Sequence, residues 1–234
     1  MSFDICTFGN PEAETLLIQM ADDHDLSIID SEISHIRELA HGQDFCLKTV
    51  KVRSWNTDLS PWPAPAVFGN EDFGGTAEET LGFLLRELPE LTASPRPYKR
   101  IYLGGYSLAG LFALWAGCRT DCFDGVAAAS PSVWFPNFTD WLREQELKAD
   151  RVYLSLGDRE ERTRNPVMAR VGEAIRETED ILKSAGKDCV LEWNKGNHFK
   201  EPDVRTAKAF AWLLRGPWRE AGARSSEEAA LRGK

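Results

Sequence analysis

The sequence predicts an α/β domain built on a mostly parallel sheet. Strand-like and helix-like segments alternate along almost the whole chain, which is the pattern of such domains. The chain has 234 residues, 42% of them hydrophobic, so it can bury a large core without disulfides or a structural metal. No internal repeat is found. We therefore expect a single domain over residues 1–218, followed by a charged C-terminal tail over 219–234.

The first part of the chain predicts one strand–helix–strand unit. Residues 15–20 form the first apolar run, and 45–52 form the next strand-like stretch. Between them, Ser27 is placed to cap a helix with one apolar face. That face contains Ile29, Ile33 and Ile36.

Residues 53–75 form a long connection rich in Trp, Pro and Gly. Most connections in compact α/β domains are short, so a loop of this length indicates a functional segment. Thr76 and Glu79 then have the spacing of a capping box. They predict a helix that ends near Pro89 and buries a stripe of Leu81, Leu84, Leu85 and Leu88.

The second part of the chain continues the alternation. Asn165 and Asp203 are each placed as helix caps, and Gly186 ends the helix that follows Asn165. Further strands are predicted at 100–104, 125–129, 151–156 and 189–193, and further helices at 108–117, 140–147, 165–186 and 203–216.

Charge and composition exclude several classes of partner. The net charge of −9 gives no basic surface for nucleic acid and disfavours an anionic membrane. No window approaches the roughly 18 to 20 apolar residues of a membrane span, and the first residues do not form a signal peptide. The five cysteines are scattered, which favours a reducing compartment and gives no metal site. We expect a cytoplasmic protein with no metal and no cofactor.

Ser107 is the first candidate for a catalytic residue. It lies between a predicted strand and a predicted helix, with Gly105 two positions before it and Ala109 two positions after it. A nucleophile elbow needs very small residues at both positions, because its strained turn brings the neighbouring chain close. The backbone N–H of Leu108, at the helix N-terminus, could then stabilise an oxyanion. An ordinary strand-to-helix turn is the alternative explanation.

A nucleophilic serine needs a base and an acid that orients the base. His198 follows the last predicted strand, whereas the other three histidines precede Ser107. The acid should follow the strand at 151–156, where Asp158, Glu160 and Glu161 are available. Glu160 lies three residues after Gly157, the glycine that ends this strand, which is the usual spacing for the acid of such a triad. Asp158 is the alternative, and the sequence does not decide between the two.

Four stretches carry a family resemblance: 105–110, 129–134, 155–160 and 196–199. Through them the chain resembles the α/β-hydrolase superfamily, and within it the Putative esterase family that includes esterase D and ferric enterobactin esterase. The resemblance implies a three-layer α/β fold with a trimmed, mostly parallel sheet of about six strands. It also implies a serine hydrolase that cleaves small carboxylic esters through an acyl-enzyme. The alternatives are an acyltransferase or thioesterase with the same triad, or a non-catalytic binding protein.

In this fold the long loop at 53–75 supplies the second oxyanion donor. The candidates are the backbone N–H groups of Ser54, Trp55 and Asn56. Aromatic side chains are concentrated in the same loop and in the segment after the strand at 125–129, and they predict an aromatic-walled substrate pocket. These side chains are Trp55, Trp62, Phe68, Phe73, Trp134 and Phe135.

Overall fold

The computed structural model describes residues 3–94 and 96–216, so the predicted tail at 219–234 lies outside the described residues. The strands are β1 Asp4–Gly9, β2 Thr15–Ala21, β3 Cys46–Lys51, β4 Pro63–Ala64, β5 Phe73–Gly74, β6 Arg100–Tyr106, β7 Gly125–Ala129, β8 Arg151–Gly157 and β9 Asp188–Asn194. The helices are α1 Asp23–Ser27, α2 Ile29–Leu39, α3 Trp55–Asp58, α4 Ala77–Leu91, α5 Leu108–Arg119, α6 Phe138–Arg143, α7 Val171–Ser184 and α8 Pro202–Arg215. Two short 3₁₀ helices cover Glu160–Arg162 and Met168–Arg170.

The central sheet has seven strands in the order β1-β3-β2-β6-β7-β8-β9. Every neighbouring pair is parallel except β1 and β3. The mostly parallel sheet is therefore confirmed, and its parallel part contains the six strands expected. The antiparallel edge strand β1 was not predicted. Its side chains are mostly exposed, so it lacks the apolar run that marks a buried strand.

Helices cover both faces of this sheet and complete the three layers. On one face, α2 and α8 pack on side chains such as Leu17, Tyr102 and Tyr153. On the other face, α4, α5 and α7 pack on a larger core that includes Leu103 and Val152. The alternation along each strand sends successive side chains to opposite faces, so both faces are apolar.

Two predicted N-terminal caps are wrong: Ser27 belongs to a preceding short helix, and the hydroxyl of Thr76 is used by a tertiary contact. Ser27 is the last residue of α1, and α2 begins at Ile29 without a side-chain cap. Thr76 does precede α4, but its hydroxyl donates to the carbonyl of Thr57 in the long loop and not to the helix. The predicted capping box is therefore absent. The same helix continues through Pro89 to Leu91.

The later caps differ in the same way. The Asn165 side chain accepts hydrogen bonds from the amides of Val167 and Met168, so it caps the 3₁₀ turn and not α7. Asp203 lies inside α8 and accepts a hydrogen bond from Ser31 on α2. The side chain that was predicted as a cap therefore joins two helices on the same face of the sheet.

Candidate active site

Ser107 occupies a sharp turn between β6 and α5. Its φ of 57° and ψ of −119° lie in a region that non-glycine residues rarely adopt, and such strain is typical of functional turns. The turn is held from both sides: the Ser107 amide donates to the carbonyl of Ala129, and the Ser132 amide donates to the carbonyl of Ser107. The turn at the end of β6 is therefore hydrogen-bonded both to the end of β7 and to the segment that follows β7.

The small residues around Ser107 are required by the close approach of the chain. Gly105 has a φ of 155°, and a Cβ added there would lie 2.5 Å from the Cβ of Ala109 and 3.1 Å from the carbonyl oxygen of Met20. No side chain fits this space. The local geometry expected of a nucleophile elbow is thus present.

We expect Gly105→Ala to lower the free energy of unfolding by about 3 kcal/mol, because it adds both a steric clash and an unfavourable φ. Gly82→Ala in α4 is the matched control. A Cβ at Gly82 meets only the end of the flexible Arg86 side chain, at 3.4 Å, so this variant should gain about 0.5–1 kcal/mol from helix propensity. Urea unfolding of both variants measures the difference. Equal stability of the two would show that the turn tolerates a side chain.

Three side chains from separate loops form one hydrogen-bonded chain at the carboxyl end of the sheet. Ser107 Oγ lies 3.1 Å from Nε2 of His198, and Nδ1 of His198 lies 2.7 Å from Oε2 of Glu160. A carboxylate can only accept a hydrogen bond, so Nδ1 carries the proton and Nε2 is free to accept from the Ser107 hydroxyl. In this arrangement, the imidazole can take a proton from Ser107.

The other carboxylate oxygen of Glu160, Oε1, accepts hydrogen bonds from three donors. Oε1 accepts hydrogen bonds from the Gly157 amide at 2.7 Å, from Arg205 Nη1 at 2.8 Å and from the Ser130 hydroxyl at 2.9 Å. Burial alone would raise the pKa of this carboxyl, but His198, the Gly157 amide and the Ser130 hydroxyl outweigh it and lower the pKa. Glu160 is therefore ionised at neutral pH and can stabilise a positive charge on His198.

Asp158 contacts the backbone near His198 but not its ring. Its Oδ1 accepts a hydrogen bond of 2.9 Å from the amide of Gly196, two residues before His198. Its own amide donates to the carbonyl of Asn194. Of the two carboxylates that the sequence left open, the structure brings Glu160 to the imidazole and uses Asp158 to brace the turn.

The backbone amides that could hold an oxyanion lie in two places. Leu108 is the first residue of α5, and amides of a first helical turn have no acceptor within the helix. In the long loop, the Ser54 amide already donates to Oδ2 of the buried Asp58 at 3.0 Å. This leaves Trp55 and Asn56, the first two residues of α3, of the three candidates in that loop. Asp58 fixes the turn that presents them.

Five of the six aromatic side chains predicted to line a substrate pocket pack against one another, and part of this cluster is core: Trp62, Phe68, Phe73, Trp134 and Phe135. Phe73 and Phe135 pack edge to face with centroids 5.2 Å apart, and their exposed fractions are only 1% and 2%. Trp134 packs against Phe73 and Phe68, with centroids 6.1 Å apart in each pair. Phe68 is 42% exposed. Phe68 is therefore the most exposed side chain of the cluster, whereas Phe73, Trp134 and Phe135 are buried.

The long loop is anchored to the segment that follows β7. The indole N–H of Trp62 donates to the carbonyl of Pro136 at 3.0 Å. The Asn165 side-chain amide also donates to the carbonyl of Val67. These contacts fix the loop over the carboxyl ends of the central strands, where parallel sheets commonly bind ligands.

Ser132 is a site residue that sequence reasoning did not single out. Its hydroxyl lies 3.1 Å from Ser107 Oγ, and the residue is 1% exposed. The sequence signal for Ser132 is its place in the stretch at 129–134, which carries part of the family resemblance. Because the Ser107 proton is directed to His198, the Ser132 hydroxyl is placed to donate to Ser107 Oγ.

Ser132→Ala is expected to lower kcat for a small ester by about tenfold, the equivalent of one net hydrogen bond, with little change in KM. Ser155→Ala is the matched control, because Ser155 is also buried and accepts from the Ser130 amide without touching Ser107. Steady-state kinetics of both variants measure the effect. An equal loss in both would assign it to packing and not to the contact with Ser107.

Metal-binding clusters and membrane-spanning helices are both absent from the described part of the chain. Within residues 3–94 and 96–216, no cluster of three or more His, Cys, Asp and Glu side chains has a geometry that could hold a metal ion. No helix in those residues is long and apolar enough to cross a membrane.

The family model described as Putative esterase matches residues 50–198. This range contains Ser107, Glu160 and His198, together with the whole of the long loop at 53–75. No curated relative matches the chain.

Solved structures share the fold. The siderophore hydrolase EstA from Aspergillus nidulans aligns with a TM-score of 0.66 and 20% identity, over 91% of this chain and 89% of that chain. An IroE-like serine hydrolase from Shewanella oneidensis gives 0.66 and 14%, over 91% and 74%. The enterobactin esterase FES from Shigella flexneri gives 0.61 and 15%, over 90% of this chain but 55% of that chain.

These structural similarities agree with the three-layer α/β architecture described above. The family match covers more than half of the sequence. The chain thus belongs to the Putative esterase family and is a carboxylic ester hydrolase of the α/β-hydrolase fold.

Proposed function

We propose that the protein hydrolyses small carboxylic esters through a covalent acyl-enzyme on Ser107. The observation that carries this proposal is the continuous hydrogen-bonded chain from Ser107 Oγ through His198 to Glu160. It begins at a strained turn and ends at a buried, ionised carboxylate, which is the arrangement that activates a serine.

In the first half-reaction, Ser107 Oγ forms a bond to the ester carbonyl carbon while its proton moves to Nε2 of His198. The amide of Leu108 and that of Trp55 or Asn56 hold the negative oxygen. The C–O bond to the alcohol then breaks, and the alcohol leaves with the proton from His198. Glu160 stabilises the imidazolium throughout.

In the second half-reaction, His198 takes a proton from water as the water oxygen attacks the acyl carbon. Collapse of this intermediate breaks the bond to Ser107 Oγ, which regains a proton from His198, and the carboxylic acid is released. No step needs a metal or cofactor. The cytoplasm is the proposed location, because all five cysteines are free.

A fluorophosphonate probe tests this proposal directly, because it reacts with activated serines. We expect purified protein to gain one adduct in its intact mass and peptide mapping to assign that adduct to Ser107. The Ser107→Ala variant should gain none. A folded sample that is not labelled would overturn the proposal and favour a binding protein that uses the hydrolase fold without its chemistry.

Product analysis separates hydrolysis from acyl transfer by the same site. The wild-type protein is incubated with a short-chain ester in the presence and absence of added alcohol or thiol. We expect the free acid to be the main product in both. Preferential formation of a new ester or thioester would assign the protein as an acyltransferase.

A further inference from the structure

Arg205 on α8 is a charged side chain on the buried face of an amphipathic helix. It is 1% exposed and lies one helical turn before Ala209, which is also buried. A buried guanidinium is costly unless it is paired and fully hydrogen-bonded. The contacts of Arg205 must therefore compensate for the free-energy cost of burying its charge.

One nitrogen of this guanidinium lies at the acid. Nη1 donates to Oε1 of Glu160 at 2.8 Å, and it lies 3.1 Å from both the Ser130 hydroxyl and the Tyr106 hydroxyl. Oε1 is the oxygen that does not contact His198. Arg205 thus binds one oxygen of the carboxylate and leaves the other, Oε2, directed at the imidazole.

The other nitrogen lies at the loop that carries the base. Nη2 donates to the carbonyl of Asn197 at 2.9 Å and to the carbonyl of Lys195 at 3.3 Å. Tyr106, which Nη1 contacts, donates in turn to the carbonyl of His198 at 2.6 Å. A single planar group therefore joins the acid to the backbone on which the histidine is carried.

The end of β8 is shaped to admit this group. A Cβ added at Gly157 would lie 2.9 Å from Arg205 Nη2, 3.0 Å from Nη1 and 2.4 Å from the carbonyl oxygen of Gly196. Only glycine at this position lets the guanidinium pass between the strand end and the turn before His198. The contact is thus built from both sides, by α8 and by β8.

We propose that Arg205 is a positioning residue. It holds Glu160 and the His198 loop in a fixed position relative to each other, so that the imidazole faces Ser107. This inference rests on the proposed function and deepens it. A planar fork with several fixed donors is suited to the task, whereas a lysine ammonium could not span the carboxylate and two carbonyls with the same geometry.

Removal of the positive charge has a defined electrostatic consequence. The ionisable groups that face Glu160 are His198, Arg205 and Tyr106. Burial, followed by the nearby charge of Glu160, raises the pKa of Tyr106 to about 12, so this tyrosine stays neutral. Without Arg205, the Glu160 charge would act on His198 with no opposing cation, and the imidazolium would be favoured.

The test compares Arg205→Met and Arg205→Lys with Lys208→Met. Lys208 lies on the same helix but pairs with Glu192 and Asn194 away from the triad, so it controls for the loss of a cation from α8. The His198 ring is titrated by NMR, with His198→Gln to assign its signal among the four histidines. kcat and KM for a short-chain ester are measured in parallel.

For Arg205→Met we expect the midpoint of the NMR titration and the acidic limb of the kcat/KM profile to move to higher pH than in wild type, because the guanidinium no longer opposes the charge of Glu160. Its kcat should fall by about a hundredfold with KM little changed, since no substrate contact is removed. Arg205→Lys keeps the charge, so its titration should stay near wild type while kcat falls about tenfold. Lys208→Met should match wild type in both measurements.

A folded Arg205→Met variant with the titration and kcat of the Lys208→Met control would overturn the inference. If Arg205→Met does not fold, Arg205→Lys decides, and wild-type kcat in that variant would overturn the inference. Should wild-type protein neither label at Ser107 nor hydrolyse esters, the proposed function fails. The NMR titration still reports whether Arg205 controls the Glu160–His198 pair, so the two failures are distinguishable.

Discussion

Ser107→Ala is expected to lower kcat by a factor of about 10⁴ to 10⁶ while the fold stays intact. The substitution removes the only atom that forms the covalent bond in the proposed mechanism. It leaves the backbone turn unchanged, because serine and alanine face the same cost at a φ of 57°. Steady-state ester hydrolysis, with circular dichroism and urea unfolding as checks on the fold, measures the effect.

Ser132 provides an internal control for that experiment, because its hydroxyl is 3.1 Å from Ser107 Oγ. If turnover in Ser107→Ala stays within tenfold of wild type, the nucleophile has been assigned to the wrong residue. The double variant Ser107→Ala/Ser132→Ala then shows whether the neighbouring hydroxyl carries the reaction. We expect it to be no less active than Ser107→Ala alone.

Glu160→Gln should lower kcat by about 10³ to 10⁴. Three donors converge on Oε1, from Gly157, Ser130 and Arg205, so a glutamine would place its oxygen there. Its NH₂ group would then face Nδ1 of His198 and select the tautomer with the proton on Nε2. That imidazole cannot accept the Ser107 proton.

Asp158→Asn is the matched control for this variant. Asparagine keeps an oxygen that can accept from the Gly196 amide, which is the contact that Asp158 makes, so we expect a loss of no more than a few fold. The pair is compared by kcat/KM on one ester. The opposite ranking would move the role of the acid to Asp158.

The parallel sheet could be predicted from sequence because its central strands are buried on both faces and appear as apolar runs. Thr15–Ala21 is buried at every position, which makes the segment easy to recognise. The edge strand Asp4–Gly9 has no such run. The caps at Thr76 and Asp203 failed because distant backbone and side-chain partners compete with the local helix for the same groups. The Ser27 hydroxyl instead donates to the carbonyl of His24 within the preceding helix.

Ser107 and His198 of the proposed triad could be named from sequence because each follows a recognisable strand and the order along the chain is constrained, whereas the acid was left between Glu160 and Asp158. Arg205 and Ser132 could not. Which way the Arg205 side chain points depends on how α8 packs, and only the folded chain shows that it reaches Glu160. The acid was ambiguous for a similar reason, since Asp158 and Glu160 are two residues apart and their directions are set by the 3₁₀ turn.

The position of Arg205 on α8 also bears on the order in which the protein becomes reactive during synthesis. The ribosome completes Ser107, Glu160 and His198 before it completes α8, the last helix of the described chain. Until that helix docks, the acid and the histidine loop lack the donor that joins them. A nascent chain can therefore carry all three residues of the proposed triad before the contacts of Arg205 exist. On the inference drawn above, full reactivity is expected only after α8 has docked.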